Sequence, residues 1–151
     1  MRYILTIIIT LSLISNNICH ASSFLAPPGV SLRDKLPKLN NIQVDWQTPE
    51  KPEWGSALRC CNVNNLEING FTGRQSNNSD KPAIWLKDVK GAYIHNCHSP
   101  SGTGTFIKLD AGTADVSLIG NDLSYSKKMC SIEPGVKKKS VFISGNRKPG
   151  R

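Results

Sequence analysis

Apolar residues return along this chain at a nearly fixed step. One set recurs at steps of 26, 26, 24 and 25 residues and consists of Ile42, Ile68, Ile94, Leu118 and Ile143. A second set runs in phase with it at steps of 26, 23 and 25 residues and consists of Leu58, Ile84, Ile107 and Ile132. Repeats of roughly 20–50 residues are typical of stacked architectures, and two strand-like anchors per repeat predict one turn of a parallel β-helix.

Each repeat also contains a short alternating segment. The first and third positions are apolar in 66–69, 92–95, 116–119 and 141–144, which predicts strands with one buried face. Gly or Asn follows each segment, and these residues accept left-handed backbone at low cost. Asn121 and Asn146 share one register, so we expect a short internal asparagine ladder, with Phe71 and Cys97 at its position in earlier coils.

The predicted fold is therefore all-β, a short right-handed parallel β-helix of four to five coils of roughly 25 residues. We divide the chain into a signal peptide (1–21), an N-terminal capping segment and loop (22–55), and the coils (56–151). Within the second part, Ser31 to Lys38 is expected to form a short covering helix, and Gln47 to Trp54 a loop with two prolines.

The first residues have the pattern of an export signal. Arg2 precedes an apolar stretch from Ile4 to Ile14, and Ala21 supplies a small residue for cleavage. We therefore expect a secreted or periplasmic protein that is not bound to a membrane after cleavage. Lipid attachment at Cys19 and an uncleaved anchor are weaker alternatives.

The charge balance is basic. The formal net charge is +8, and loss of Arg2 with the signal leaves +7. An exported basic protein meets polyanions such as acidic polysaccharide or lipopolysaccharide. No nucleic-acid-binding motif is present, so nucleic acid is not an expected partner. The alternative is that these lysines are ordinary solvated surface residues.

One outward-facing column is the main candidate for a binding site. Arg59, Trp85 and Lys108 occupy the middle position of three successive strands, so their side chains should stack on one outer face. An indole flanked by two cations suits an acidic sugar. The competing interpretation places Trp85 beneath a loop, with solvated cations.

A neighbouring column contains Tyr93 and extends the candidate surface. Its members are Glu67, Tyr93, Ser117 and Phe142. The aromatic rings would either lengthen a sugar-binding platform or cover the side of the stack beneath a loop, and the second interpretation is favoured.

Three stretches carry a resemblance to a known family: 52–59 (PEWGSALR), 63–68 (VNNLEI) and 81–90 (KPAIWLKDVK). They resemble the C-terminal coils of pectinase-type parallel β-helix proteins, and are most similar to polygalacturonase-like proteins of glycoside hydrolase family 28. The matching stretches are patterns of the scaffold, so the resemblance implies the β-helix fold. It does not supply catalytic residues, because the family's Asn-Thr-Asp, Asp-Asp, Gly-His-Gly and Arg-Ile-Lys motifs do not occur here.

The acids also argue against catalysis. Asp80, Asp88, Asp110, Asp115 and Asp122 are isolated in the sequence, and no two are expected on neighbouring coils of one outward column. A glycosidase needs two carboxyl groups flanking the scissile bond. We therefore assign no catalytic residue.

Cysteine and histidine give no firm site. Cys60, Cys61, Cys97 and Cys130 allow three disulfide pairings in an oxidising compartment, and Cys60 also fits a small buried apolar position. His95, Cys97 and His98 are close in sequence but should point in different directions, so we predict no metal and no cofactor.

The sequence thus predicts an exported, truncated, non-catalytic β-helix module that binds acidic polysaccharide weakly or serves as a scaffold. One alternative is a pectin-degrading glycoside hydrolase, or a fragment that pairs with missing catalytic coils. Another is a piece that docks on a partner β-helix, or on itself, through open strand edges.

Overall fold

The structure is a computed structural model that describes residues 38–46, 55–77 and 79–148. Seven strands account for half of these residues. They are β1 (Lys38–Asn40), β2 (Leu58–Asn69), β3 (Ile84–His95), β4 (Thr103–Leu109), β5 (Ala114–Ile119), β6 (Ser126–Ile132) and β7 (Val141–Ser144). A short 3₁₀ helix at Lys138–Ser140 precedes β7.

All the strand pairs are parallel. β1 pairs with β2 and β2 with β3. The first part of β3 then pairs with β4, which pairs with β6, while its second part pairs with β5, which pairs with β7. Successive coils of about 25 residues therefore stack in about four turns, and the predicted parallel β-helix is confirmed.

The first apolar column is confirmed for four of its five members. Ile68, Ile94, Leu118 and Ile143 follow one another in register. The assignment of Ile42 to this column was wrong, because Leu39 is the residue that pairs with Ile68. Ile42 lies beyond the following turn, where its carbonyl oxygen accepts a hydrogen bond from the backbone N–H of Thr72 at 2.9 Å.

The second column is confirmed for Leu58, Ile84 and Ile107 but not for Ile132. Cys130 pairs with Ile107, and Ile132 pairs with Leu109 in the column that begins with Cys60 and Leu86. The placement of Cys60 among inward residues is confirmed, and burial raises the pKa of its thiol to about 12. Cys60, Cys97 and Cys130 are free thiols, whereas Cys61 is disulfide-bonded, so none of the three pairings among the four cysteines forms.

The turns at the end of each alternating segment form a column of left-handed residues. Its members are Asn41, Gly70, Asn96, Gly120 and Gly145, with φ between 51° and 72°. A Cβ on Gly70 would lie 2.5 Å from Asn41 Oδ1, so a larger residue there would have to displace the Asn41 side chain. The recurring Gly and Asn of the sequence are thus explained by one backbone conformation repeated in every coil.

The predicted asparagine ladder is confirmed. The side-chain amide of Asn121 donates to Asn146 Oδ1 at 2.8 Å and to the carbonyl of Ile94 at 3.1 Å, and its Oδ1 accepts from the backbone N–H of Cys97 at 2.9 Å. Asn121 is 2% exposed. The ladder therefore satisfies backbone groups of adjacent coils where the chain turns inside the stack.

Stacking begins earlier than the predicted division of the chain. Lys38, expected at the end of a helix, is the first residue of β1, so part of the 22–55 segment already forms a coil. The signal peptide, the remainder of the predicted helix and the loop at 47–54 lie outside the described residues.

Candidate functional site

The outward column predicted from the sequence exists. Arg59, Trp85 and Lys108 occupy paired positions on β2, β3 and β4, and Ser131 on β6 continues the column. The inward neighbours Leu86 and Leu109 are fully buried, which fixes the alternation and directs the column outwards. Arg59 is exposed, whereas Trp85 and Lys108 are partly buried.

The indole of Trp85 is surrounded by cations. The guanidinium carbon of Arg59 lies 4.5 Å from the ring centroid, and Lys108 Nζ, on the coil at the other side, lies 5.5 Å from it. Lys81 Nζ lies 5.9 Å away. Each exposed cation–π contact contributes roughly 0.5–1 kcal/mol. The ring therefore holds cations, and a sugar could stack on it only by displacing one of them.

Two carboxylates complete the site. The prediction compared five aspartates and did not include Glu133, which lies beside Asp110. Asp110 and Glu133 each follow a paired residue, Leu109 and Ile132, so they occupy the same position on adjacent coils. Trp85 Nε1 donates to Asp110 Oδ2 at 3.1 Å. Glu133 Oε1 lies 3.4 Å from Lys108 Nζ.

Asp110 is held in its ionised form. The backbone N–H of Ala111 donates to its Oδ1 at 2.8 Å and is the main reason why the pKa of this carboxyl lies below its ordinary value of 3.8. Partial burial opposes that shift, while the hydrogen bond from Trp85 and the charges of Lys108 and Lys87 add to it. A carboxyl group with a lowered pKa is a poor general acid near neutral pH.

Trp85→Phe should raise the pKa of Asp110 without returning it to 3.8, because the Ala111 hydrogen bond remains. A carboxyl group whose pKa is lower in the folded than in the unfolded state stabilises the fold at pH values above its unfolded-state pKa. This stabilisation is lost as the pH falls through the folded-state pKa. The variant should lose it at a higher pH than the wild type. NMR titration of the Asp110 carboxyl measures the shift, with Trp46→Phe as control. An unchanged pKa would contradict the Trp85–Asp110 bond.

The second column is also confirmed in register, from Glu67 through Tyr93 and Ser117 to Phe142. The expectation that a loop covers its aromatic rings was wrong, because Tyr93 is 44% and Phe142 58% exposed. Tyr93 stacks on the ring of His95 with centroids 4.3 Å apart.

Tyr93 is not part of the Trp85 cluster. It lies in the second part of β3, beyond backbone bends at Asp88 (φ 52°) and Gly91 (φ 72°), where β5 rather than β4 is the neighbouring strand. The structure thus brings together three of the four predicted binding residues and places the fourth on a separate run of strands.

His95, Cys97 and His98 have separate partners. His95 Nε2 is 3.3 Å from Glu67 Oε1, and Glu67 in turn pairs with Lys38 at 2.9 Å. Burial raises the pKa of the Cys97 thiol to about 11, and His98 Nδ1 lies 4.0 Å from Asp122. Within 38–46, 55–77 and 79–148, no group of three or more His, Cys, Asp or Glu residues has the geometry to hold a metal ion.

Sequence reasoning missed Lys81, Asp110 and Glu133. The sequence did contain an indication that Asp110 faces outwards, since it lies two residues after the outward Lys108. Lys81 lies outside the strands, in the connection that precedes β3. The path of this connection brings its side chain near the indole, and the apolar periodicity gives no information on that path.

Comparison with protein-family models, with curated proteins and with solved structures gives no match to this chain. None of the helices among the described residues has the length and apolar character needed to cross a membrane.

Proposed function

We propose that this chain is an exported, non-catalytic β-helix module that binds acidic polysaccharide weakly through the face around Trp85. The observation that carries the proposal is the set of cations around one indole, with Arg59, Lys108 and Lys81 all within 6 Å of the ring centroid. The net charge, +8 for the full chain and +7 without the signal, supports the same ligand class, and the resemblance of 52–59, 63–68 and 81–90 to pectinase-type coils supports the β-helix module.

Charge rather than ring stacking is the proposed mode of recognition. The cations on and beside this face are Arg59, Lys81, Lys87, Lys108 and Lys128, and the acids are Asp80, Asp110 and Glu133. The face keeps a positive excess, and the indole holds Arg59 and Lys108 one coil to either side of it, so these two cations lie two coils, or about 9.6 Å, apart along the stack. A row of sugar carboxylates can contact successive coils, each weakly, so affinity comes from repetition.

The test is affinity electrophoresis in gels containing polygalacturonate, with dextran as the neutral comparison. The double variant Arg59→Gln/Lys108→Gln should weaken retention by about tenfold, which corresponds to about 1.4 kcal/mol. Salt at 0.5 M should abolish retention of the wild type, because contacts between exposed charges are screened.

The matched control is Lys137→Gln/Lys138→Gln, which removes the same charge from the exposed turn before β7. It should change retention by less than about threefold, within roughly 0.7 kcal/mol. Equal weakening by both double variants would show unspecific attraction to a basic protein. Absence of retention at low salt would remove polysaccharide binding altogether.

A second candidate, a pectin-degrading glycosidase, is favoured only by the adjacent positions of Asp110 and Glu133. Such an enzyme needs one neutral carboxyl as the general acid. Asp110 has a lowered pKa, and Glu133 forms an ion pair with Lys108. Release of reducing sugar from polygalacturonate by the wild type, lost in Asp110→Asn, would replace our proposal with this one.

A further inference from the structure

Within the described part of the chain, the inward columns of the last coil are only partly covered. Ile143 is 41% exposed, whereas Ile68, Ile94 and Leu118 in the same column are at most 1% exposed. Met129 and Ile143 line a shallow depression together with Asn146 and Lys148. Among the described residues, β6 pairs only with β4 and β7 only with β5, so one edge of each strand has no neighbouring strand.

The residues at this open end determine the sequence pattern of a strand that could extend the stack by one coil. Val141 and Ile143 continue apolar columns, Gly145 has a φ of 62°, and Asn146 Oδ1 accepts from the backbone N–H of Asn121 at 2.9 Å. One more coil would need apolar residues at two alternate positions, then Gly or Asn, then Asn. A polypeptide strand of the β-helix type meets these requirements through backbone hydrogen bonds and buried apolar side chains.

The charge of this coil indicates which strand fits. Between residues 123 and 148 the cations are Lys127, Lys128, Lys137, Lys138, Lys139, Arg147 and Lys148, and the only acid is Glu133, which pairs with Lys108. Two such ends would repel each other. At the opposite end, the described residues 38–46 carry one cation, Lys38, which pairs with Glu67, and one acid, Asp45, so this end offers no acidic excess for head-to-tail stacking of two copies.

We infer that the open end around β6 and β7 binds one coil of a different, acidic β-helix polypeptide. The apolar columns supply the contact area, and the lysines select acidic side chains at the outward positions of the incoming strand. This inference goes beyond the polysaccharide site and does not depend on it. The rival explanation is that these lysines protect an exposed edge from any association.

The experiment measures binding of two labelled peptides to the full chain by fluorescence anisotropy. Both have the sequence of residues 114–123, with the outward positions 117 and 119 replaced by Glu in one and by Lys in the other. The acidic peptide should bind at least about tenfold more tightly than the basic peptide or a scrambled acidic peptide. Neutralising the turn with Lys137→Gln/Lys138→Gln/Lys139→Gln should remove the preference.

Ile143→Ser should weaken binding of the acidic peptide by at least about tenfold, because it removes the apolar contact at a site already partly exposed. Phe142→Ser is the matched control on the outward side of β7 and should stay within about threefold. Circular dichroism checks that both variants keep the fold.

Three results would overturn the inference. The first is equal binding of acidic and basic peptides, and the second is no binding at peptide concentrations of about 1 mM, equivalent to about −4.1 kcal/mol. The third is a self-associated chain in sedimentation analysis that Ile143→Ser converts to a monomer, which would make a second copy the occupant.

Discussion

Ile94→Ala should lower the free energy of unfolding by about 3 kcal/mol, within the roughly 2–5 kcal/mol observed when a buried isoleucine is truncated. Ile94 has no exposed surface and lies in register between Ile68 and Leu118. The cavity would open in the middle of a narrow stack whose neighbouring coils are held in place by parallel pairing, so it can collapse only partly. Urea unfolding followed by circular dichroism measures the change.

The matched control for Ile94→Ala is Ile143→Ala in the same column. Ile143 is 41% exposed at the open end, so its truncation should cost less than about 1 kcal/mol. The comparison isolates burial by stacking, since residue type and strand position are identical. Equal costs for the two variants, or a cost below about 1 kcal/mol for Ile94→Ala, would contradict coaxial packing of the column.

The fold was predictable because the alternation of apolar and polar residues and the length of the repeat can both be recognised even when single residues are assigned to the wrong position. The columns through Ile68, Ile94 and Leu118 follow from steps of 26 and 24 residues. The first coil is longer, because Leu39 rather than Ile42 pairs with Ile68. A fixed period fails wherever a connection changes length, and nothing in the apolar pattern marks such a change.

An error of two residues is harmless for burial but not for the site. Ile132 was placed opposite Ile107 and in fact pairs with Leu109, which is still an inward position because side chains alternate with a period of two. In the predicted register Glu133 would lie beside Lys108 on the neighbouring coil, whereas in the observed register it lies beside Asp110. The carboxylate pair was therefore invisible until the strand pairing was known.

In the candidate site, too, the residues on strands could be predicted and the residues outside strands could not. Arg59, Trp85 and Lys108 were predictable, because each is the middle residue of an alternating strand. The contacts that define their chemistry were not, since Lys81 and Asp110 lie outside strands, where the path of the chain decides which residues meet. Alternation also gives no information on loops, which is why the exposure of Tyr93 and Phe142 was wrongly predicted.

The asparagine ladder gives the second large expected effect. Asn121→Ala should lower the free energy of unfolding by about 3–4 kcal/mol, because it leaves the N–H of Cys97 and the carbonyl of Ile94 without a partner, at roughly 1–3 kcal/mol for each buried group. Asn146→Ala is the control. Asn146 lies at the open end, where water can replace its bonds, and about 1 kcal/mol is expected. Thermal and urea unfolding of the two variants measure the difference.

Asn121→Asp tests the direction of the hydrogen bonds rather than their number. The new carboxylate would keep the acceptor for the N–H of Cys97 but would face the carbonyl of Ile94 and Asn146 Oδ1, which the amide now serves as donor. Burial and these oxygens should raise the pKa of the introduced carboxyl above the ordinary value for aspartate. Protonation restores a donor, so the variant should be least destabilised at low pH and lose stability as the pH rises through that raised pKa. A pH-independent loss relative to the wild type, or a loss no greater than that of Asn146→Asp at neutral pH, would show that the amide of Asn121 does not donate inside the stack.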